Sequence, residues 1–330
     1  MKKVNKIVAV FLICIFMLGF AVSCSMVDLS NPGAANDNIR EIPNESVIVP
    51  LTRTPAIPNF LIPVASGTRV EKTNKAIIDY SNTTDGYVMV KWLTETTKDL
   101  RVQIIGPSET KYVYTILPND SYEVFPLSDG NGDYSVGVFE HVEGGRYTSI
   151  ARVSLKVSLT DEFAPFLHPN QYVNFNRNSD VVVKAASLVA STDDLIDKVA
   201  AVYSYVIQNI TYDTNLANAI IRGERPGYLP DIDSVLSSQK GICFDYAALM
   251  TAMLRSQNIP TKLVIGYADS VRHAWINVYS DETGWINNVI YFDGKEWIMM
   301  DPTFAAAAKN AAALQAFIGD GSNYTSTHLY

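Results

Sequence analysis

Between residues 66 and 162, the hydrophobic positions occur in short runs separated by turn-forming residues. The runs are rich in Val, Ile, Tyr and Thr, which favour strands, and they recur about every 10 to 13 residues. Turns such as Asp129-Gly130-Asn131-Gly132 lie between them. The pattern predicts a seven-stranded antiparallel sandwich of immunoglobulin-like type. Its strands are predicted at 76–80, 87–93, 100–105, 112–117, 122–125, 134–140 and 148–159.

From residue 163 onward, the apolar spacing changes to steps of three and four. Leu195, Val199, Val202, Val206 and Ile210 form one buried helical face, which Asp193 and Asp194 precede. The chain from 163 to 330 is therefore predicted to fold as an α+β domain. Its other elements are helices at 231–238, 243–257 and the alanine-rich stretch 305–317, and strands at 261–267, 273–279 and 297–300 with a hairpin at Asp293-Gly294.

The helix predicted at 243–257 begins at a cysteine. Gly241 allows a tight turn before it, Asn258 suits the left-handed position after it, and Pro260 prevents its continuation. Cys243 is therefore expected in the first turn, where N–H groups lack helical partners and the helix dipole favours a negative group. A backbone N–H of this turn is also suited to bind an oxyanion.

Residues 1–23 have the layout of a secretory signal. Lys2, Lys3 and Lys6 precede an apolar run at 7–20. As a helix, that run would span about 21 Å, which is short of a hydrocarbon core of about 30 Å, so a permanent transmembrane anchor is less favoured. The segment Ala21-Val22-Ser23-Cys24 resembles the lipobox of bacterial lipoproteins, although Ala21 stands where leucine is usual. The resemblance implies cleavage before Cys24 and lipidation of Cys24; ordinary secretion stays open.

The 330-residue chain has a net charge of -8 and no basic stripe, so we expect no nucleic-acid partner. Residues 24–65 are interpreted as an extended tether because six prolines lie between positions 32 and 63. The sandwich at 66–162 is expected to act as a spacer or to pack on its neighbour, and glycan binding stays open.

The cysteines point to a reactive group. Cys14 lies in the signal and Cys24 at the predicted lipidation site, which leaves Cys243 alone in an exported body where disulfides would need pairs. Cys243 is either an inert core thiol or a nucleophile. Lowering a thiol pKa from about 8.5 to about 4 takes about 6 kcal/mol, whereas a helix terminus supplies at most about 2 kcal/mol. A nucleophile would therefore need a nearby cation, ideally an imidazolium.

His273 and Asp301 are the candidate partners. His273 lies near the start of one predicted strand and Asp301 follows another, so neighbouring strands would let the acid orient the imidazole.

The segments around these residues resemble the transglutaminase-like superfamily, whose fold is related to that of papain-type cysteine proteases. The matching blocks are Gly241-Ile242-Cys243-Phe244-Asp245-Tyr246-Ala247, Asn258-Ile259-Pro260-Thr261-Lys262, His273-Ala274-Trp275 and Asp301-Pro302-Thr303. The resemblance covers about residues 195–304. It implies that Cys243 is the nucleophile, His273 the general base and acid, and Asp301 the group that orients His273.

The chain departs from the compact members of that family in residues 281–296, an insertion expected to form part of the acceptor wall or a lid. The family's side-chain oxyanion donor has no clear counterpart, and Tyr205, Trp285 and Gln239 are candidates. Asp245 is interpreted as a dipole partner of the first turn. His141 and His168 are expected at the surface, and His328 in a polar tail. A zinc site is disfavoured because no closely spaced ligand pairs occur, and we expect neither metal nor cofactor.

Together these observations predict a thiol enzyme that acts on amide bonds through a thioester and is lipid-anchored outside the cytoplasm of a bacterium. Protein or cell-wall peptides are the expected substrates, and hydrolysis is slightly favoured over transamidation. The alternative from another class is a catalytically silent transglutaminase-like module that binds a surface partner.

Overall fold

A computed structural model of the chain describes residues 55–286, 291–292, 297–298, 303 and 324–330. The predicted signal at 1–23, the lipidation site Cys24, most of the tether, Asp301 and the alanine-rich stretch 305–317 lie outside the described residues. The described residues all belong to one compact unit that begins at Leu51. Within them, no helix is both long and apolar enough to cross a bilayer.

The first part of this unit is rich in β-structure. Its strands form two four-stranded antiparallel sheets, with the orders β1-β2-β3-β6 and β5-β4-β7-β8. All seven predicted strands are present, and β1 is an addition; the immunoglobulin-like type stays a prediction. The strands are β1 (Val70–Lys72), β2 (Ala76–Asp79), β3 (Tyr87–Trp92), β4 (Leu100–Ile105), β5 (Lys111–Thr115), β6 (Glu123–Pro126), β7 (Gly132–Glu143) and β8 (Arg146–Val157).

Burial alternates along these strands as expected for sheets with one apolar face. In β4, Leu100, Val102 and Ile104 are buried, whereas Arg101 between them is exposed. The segment before β1 also packs on the body, since Phe60 is buried and its ring centroid lies 5.4 Å from that of Phe175.

The second part is mixed α/β. A four-stranded antiparallel sheet with the order β13-β12-β11-β16 packs against a helical layer. The predicted helices and strands that fall within the described residues are present here, whereas the helix at 305–317 stays a prediction. Two helices, α1 and α3, were not predicted. The elements are α1 (Asp180–Leu188), α2 (Leu195–Asn209), β9 (Thr211–Tyr212), α3 (Thr214–Ile221), α4 (Ile232–Ser238), β10 (Lys240–Gly241), α5 (Cys243–Arg255), β11 (Thr261–Ala268), β12 (Val271–Ser280), β13 (Gly284–Ile286), β14 (Tyr291–Phe292), β15 (Trp297–Ile298) and β16 (Tyr324–Leu329).

The helix α5 is the centre of this part. Every residue from Asp245 to Arg255 is buried, because the helices α1, α2 and α4 and the strands β11 and β12 all pack on α5. Such a helix is apolar all round rather than on one stripe. As predicted, Asn258 is left-handed (φ 59°) and turns the chain back into β11.

The strand β16 corrects one expectation, because His328 does not lie in a free polar tail. β16 pairs antiparallel with β11, and His328 lies opposite Ile265. The imidazole Nε2 of His328 is 3.2 Å from the backbone oxygen of Lys111 in β5. This edge strand therefore links the α/β sheet to the β-rich part.

Arg255 ties the end of α5 to three other segments. Its side chain is fully buried and donates to Thr261 O from Nε (2.9 Å) and Nη2 (2.7 Å), to His168 O from Nη1 (2.8 Å) and to Tyr330 O from Nη2 (2.6 Å). Burial lowers the pKa of Arg255 to about 9, so the guanidinium is still charged at neutral pH. One buried cation therefore holds three segments together through these hydrogen bonds: the start of β11, the segment before α1 and the residue after β16.

We expect Arg255→Met to lower the free energy of unfolding by about 3 kcal/mol or more, because three oxygens in a buried setting lose their donor. Urea unfolding at pH 7 measures the difference. Arg222→Met is the matched control: Arg222 is exposed and, within the part of the chain that the structure describes, forms an ion pair with Glu224 alone, so no measurable change is expected. Similar losses in the two variants would contradict this role of Arg255.

Candidate active site

Cys243 is a free, half-buried thiol and the first residue of α5. Its N–H belongs to the first turn, where the helix offers no acceptor, and the positive end of the helix dipole lies beside the sulfur. The predicted position of the cysteine in the first turn is thus confirmed.

The turn that leads into Cys243 is held by Asp245. This carboxylate is 1% exposed; Oδ2 accepts from the N–H of Ile242 (2.8 Å) and Oδ1 from the hydroxyl of Tyr228 (2.7 Å). Burial raises the pKa of Asp245, and the two hydrogen bonds partly offset that increase. A Cβ at Gly241 would lie 2.6 Å from the Cβ of Asp245, so glycine is required there. Asp245 therefore stabilises the turn through its hydrogen bonds, and its charge also interacts with the dipole of α5.

A short parallel pair of strands flanks the same turn. β9 pairs with β10, which places Tyr212 opposite Gly241, two residues before the thiol. Burial raises the pKa of Tyr212, and the nearby Cys243 and Asp245 raise it further. The sequence predicts no role for Tyr212; its only signal is a short Thr-Tyr strand after α2.

His273 lies on β12 and is 5% exposed. In the register of the sheet it faces Gly266 of β11, and its ring centroid is 6.3 Å from those of Trp275 and Tyr324. A Cβ at Gly266 would lie 2.1 Å from Thr325 O and 2.6 Å from the Trp275 ring, so only glycine lets β16 and Trp275 close around this position.

Cys243 and His273 lie on two elements that share one anchor point. The hydrogen bonds from Arg255 to Thr261 O tie the last residue of α5 to the first residue of β11. From there α5 extends about 18 Å to Cys243, at about 1.5 Å per residue. β11 advances about 17 Å to Gly266, at about 3.4 Å per residue. Because Gly266 pairs with His273, the backbone of His273 lies about as far along the sheet from the Arg255–Thr261 contact as Cys243 lies along α5.

Phe244 and Arg272, which adjoin Cys243 and His273 in sequence, both interact with Tyr172. The ring of Phe244, next to the thiol, lies 5.2 Å from that of Tyr172. Burial raises the pKa of Tyr172 to about 12, and the positive charge of Arg272, next to His273, opposes that increase. Asp301, the third predicted residue, lies outside the described residues.

The candidates for a side-chain oxyanion donor differ in position. Trp285 on β13 lies opposite Tyr279, six residues beyond His273 along β12, with the Nζ of Lys262 3.6 Å from its ring centroid. Trp285 is therefore remote from the end of β12 that carries His273. The described part of the insertion, residues 281–286, is remote from that end as well. Tyr205 packs beneath Lys184, while Gln239 ends α4 in a left-handed conformation.

The prediction that His168 lies at the surface is wrong. His168 is fully buried, its ring centroid is 5.1 Å from that of Tyr87, and burial lowers its pKa to about 4. Its carbonyl accepts from Arg255, which holds this segment in the interior. His141 is half-buried, with Nε2 2.7 Å from Gly144 O.

Comparison with protein families places the site in context. The family model described as "Transglutaminase-like superfamily" matches residues 184–302. This range includes Cys243, His273 and Asp301, and it excludes the β-rich part.

Individual relatives share only low sequence identity with this chain. YebA, an uncharacterized protein of Bacillus subtilis, is 28% identical over 121 residues, which cover 31% of this chain and only 16% of YebA. A proposed cysteine protease from Cytophaga hutchinsonii is 17% identical in the aligned structure, with a TM-score of 0.36 over 80% of this chain and 74% of that one. For red sea bream transglutaminase the values are 12% identity, a TM-score of 0.25, and coverage of 66% and 48%.

We expect Asp245→Asn to alter the pH dependence of stability. The folded-state pKa of Asp245 is raised, so its ionisation costs stability as the pH rises from about 4, and asparagine does not titrate. The stability of Asp245→Asn relative to the wild type should therefore increase between pH 4 and pH 7, measured by urea unfolding at several pH values. Asp133→Asn, an exposed carboxylate on β7, is the control. If the difference in unfolding free energy between Asp245→Asn and the wild type does not vary with pH, burying the charge of Asp245 does not cost stability.

Proposed function

We propose, from the premise that residues 184–302 belong to the transglutaminase-like superfamily, that this protein is a thiol enzyme acting on amide bonds. Cys243 is the nucleophile, His273 the general base and acid, and Asp301 the residue that orients His273. The proposal requires no metal and no cofactor.

The chemistry follows the order of proton transfers. His273 takes the thiol proton, and the sulfur of Cys243 forms a bond to the carbonyl carbon of a carboxamide or peptide bond. The C–N bond then breaks, and His273 returns the proton to the departing amine. The acyl group stays on Cys243 as a thioester until water or an amine attacks the same carbon and the sulfur leaves.

The position of Cys243 supports the proposal most strongly. A lone thiol on an exposed tether or a surface helix would be held loosely. Cys243 instead begins a helix that is buried on all sides and anchored at its other end by Arg255. A fixed nucleophile next to backbone N–H groups suits acyl transfer, because the developing negative charge needs donors that are already in place.

Hydrolysis is proposed ahead of transamidation, with protein or cell-wall peptides as substrates, and the two reactions differ in product mass. Hydrolysis of a glutamine carboxamide adds about 1 Da, whereas transamidation adds the mass of the amine less that of ammonia. We further propose that the chain is exported and lipid-anchored through Cys24, which rests on the sequence of residues 1–24.

The second candidate is a catalytically silent module that binds a surface partner. It is favoured by the close packing of the site on the β-rich part, where the ring of Tyr114 lies 5.4 Å from that of Tyr172, which in turn contacts Phe244. In that case the thiol would have no special reactivity.

Alkylation by iodoacetamide separates the two candidates. If His273 pairs with the thiol, the alkylation rate of Cys243 should vary little between about pH 6 and 8, because the reactive thiolate is already formed. In His273→Ala the rate should rise about tenfold per pH unit, as for an ordinary thiol. Mass spectrometry of the Cys243 peptide gives both rates.

His141→Ala is the control, because His141 lies on the β-rich part at the β7–β8 turn. This variant should behave as the wild type does. A steep pH dependence in the wild type, equal to that of His273→Ala, would favour the binding module.

A further inference from the structure

Three tyrosines adjoin the turn that leads into Cys243, and two of them have an internal hydrogen-bond acceptor. Tyr228 donates to Asp245 Oδ1, and Tyr246 donates to the backbone oxygen of Ile210 at 2.6 Å. Among the described residues, none accepts a hydrogen bond from the hydroxyl of Tyr212, and the residue is 37% exposed. Tyr212 can therefore reach a ligand that the other two cannot.

We propose that the hydroxyl of Tyr212 donates a hydrogen bond to the carbonyl oxygen of the substrate as Cys243 attacks, beside the N–H of Cys243. This inference rests on the proposed function and names a residue that acts in the same site. No proton leaves Tyr212: the C–S bond forms, the carbonyl electron pair moves to oxygen, and the phenol stabilises that charge until the C–N bond breaks.

The backbone fixes the position of Tyr212 next to the nucleophile. The N–H of Thr211 donates to Gln239 O and the N–H of Asp213 to Gly241 O, both at 2.8 Å. These bonds lie on either side of Tyr212 and hold it opposite Gly241. Since Gly241 is separated from Cys243 by only Ile242, Tyr212 cannot move relative to the thiol without breaking the strand pair.

The direction of the side chain follows from the same pairing. Residues that face each other in a sheet project their side chains to the same side. At Gly241 that side is occupied by Asp245, since a built Cβ would lie 2.6 Å from the Cβ of Asp245. Tyr212 therefore projects toward the first turn of α5, which carries Cys243.

The electrostatics of the site suit a donor. Burial, followed by the negative charges of Cys243 and Asp245, raises the pKa of Tyr212, so the phenol keeps its proton through neutral pH. A preformed donor of this kind typically contributes a factor of about 10² to 10³ to acyl transfer. Because the ring is partly exposed, we expect a smaller factor, about 10 to 100.

Two reagents distinguish this role of Tyr212 from an effect of the Tyr212→Phe substitution on the thiol or the fold. Acylation of Cys243 by p-nitrophenyl acetate passes through a negatively charged carbonyl oxygen, whereas alkylation by iodoacetamide does not. We expect Tyr212→Phe to acylate about 10- to 100-fold more slowly than the wild type and to be alkylated within twofold of the wild-type rate. Release of p-nitrophenol and mass spectrometry of the Cys243 peptide measure the two rates.

Tyr147→Phe is the matched control, because Tyr147 lies on β8 of the β-rich part with Arg101 over its ring, and it should keep both rates. Unchanged acylation in Tyr212→Phe would overturn the proposal, and so would equal losses in acylation and alkylation, which indicate an effect on the thiol or the fold. If the wild-type thiol itself shows the steep pH dependence of an ordinary thiol, the proposed function fails and this inference fails with it. A reactive wild type with unaffected Tyr212→Phe refutes this inference alone.

Discussion

The guanidinium of Arg255 is fully buried and satisfied by backbone oxygens alone in its described hydrogen bonds. A planar group with several fixed donors can hold segments at defined angles, which a lysine cannot do. Here it joins the end of α5 to the start of β11, and it also holds His168 and Tyr330. The cost of burying this cation is offset only while all of these segments stay in place. The relative position of helix and sheet therefore depends on one side chain.

This anchor sets the geometry at the opposite end of α5, where the proposed chemistry takes place. Because the helix is buried on all sides, it cannot slide along β11 and β12, so Cys243 keeps a fixed position relative to the sheet. Asp245 and the β9–β10 pair then fix the turn before the thiol. The β-rich part supports the same turn through the ring contacts from Tyr114 to Tyr172 and on to Phe244. The two parts of the compact unit thus meet next to the nucleophile.

The features predicted from sequence are those that local patterns encode. Short runs of Val, Ile, Tyr and Thr between turn-forming residues predicted the seven strands of the β-rich part, and the glycine, asparagine and proline around α5 predicted its ends. In the sequence, Arg255 resembles an ordinary basic residue in the last turn of a helix. Its role could not be predicted, because the three carbonyls around it come together only in the folded chain. β16 was missed because Thr325, Ser326 and Thr327 give no apolar alternation; its pairing depends on the bare backbone of Gly266. Tyr212 and His168 likewise lie against segments distant in sequence, with Tyr212 opposite Gly241 and His168 next to the ring of Tyr87.

The most direct test of the account is whether Cys243 and His273 lie within reach of one short reagent. 1,3-Dibromoacetone alkylates a thiol at one carbon and then a neighbouring nucleophile at the other, with a single carbonyl between them. Peptide mapping should recover one cross-linked species that contains Cys243 and His273, and His273→Ala should give only singly attached reagent on Cys243. Recovery of Cys243 joined to a different residue, or of singly attached reagent alone in the wild type, would contradict the account.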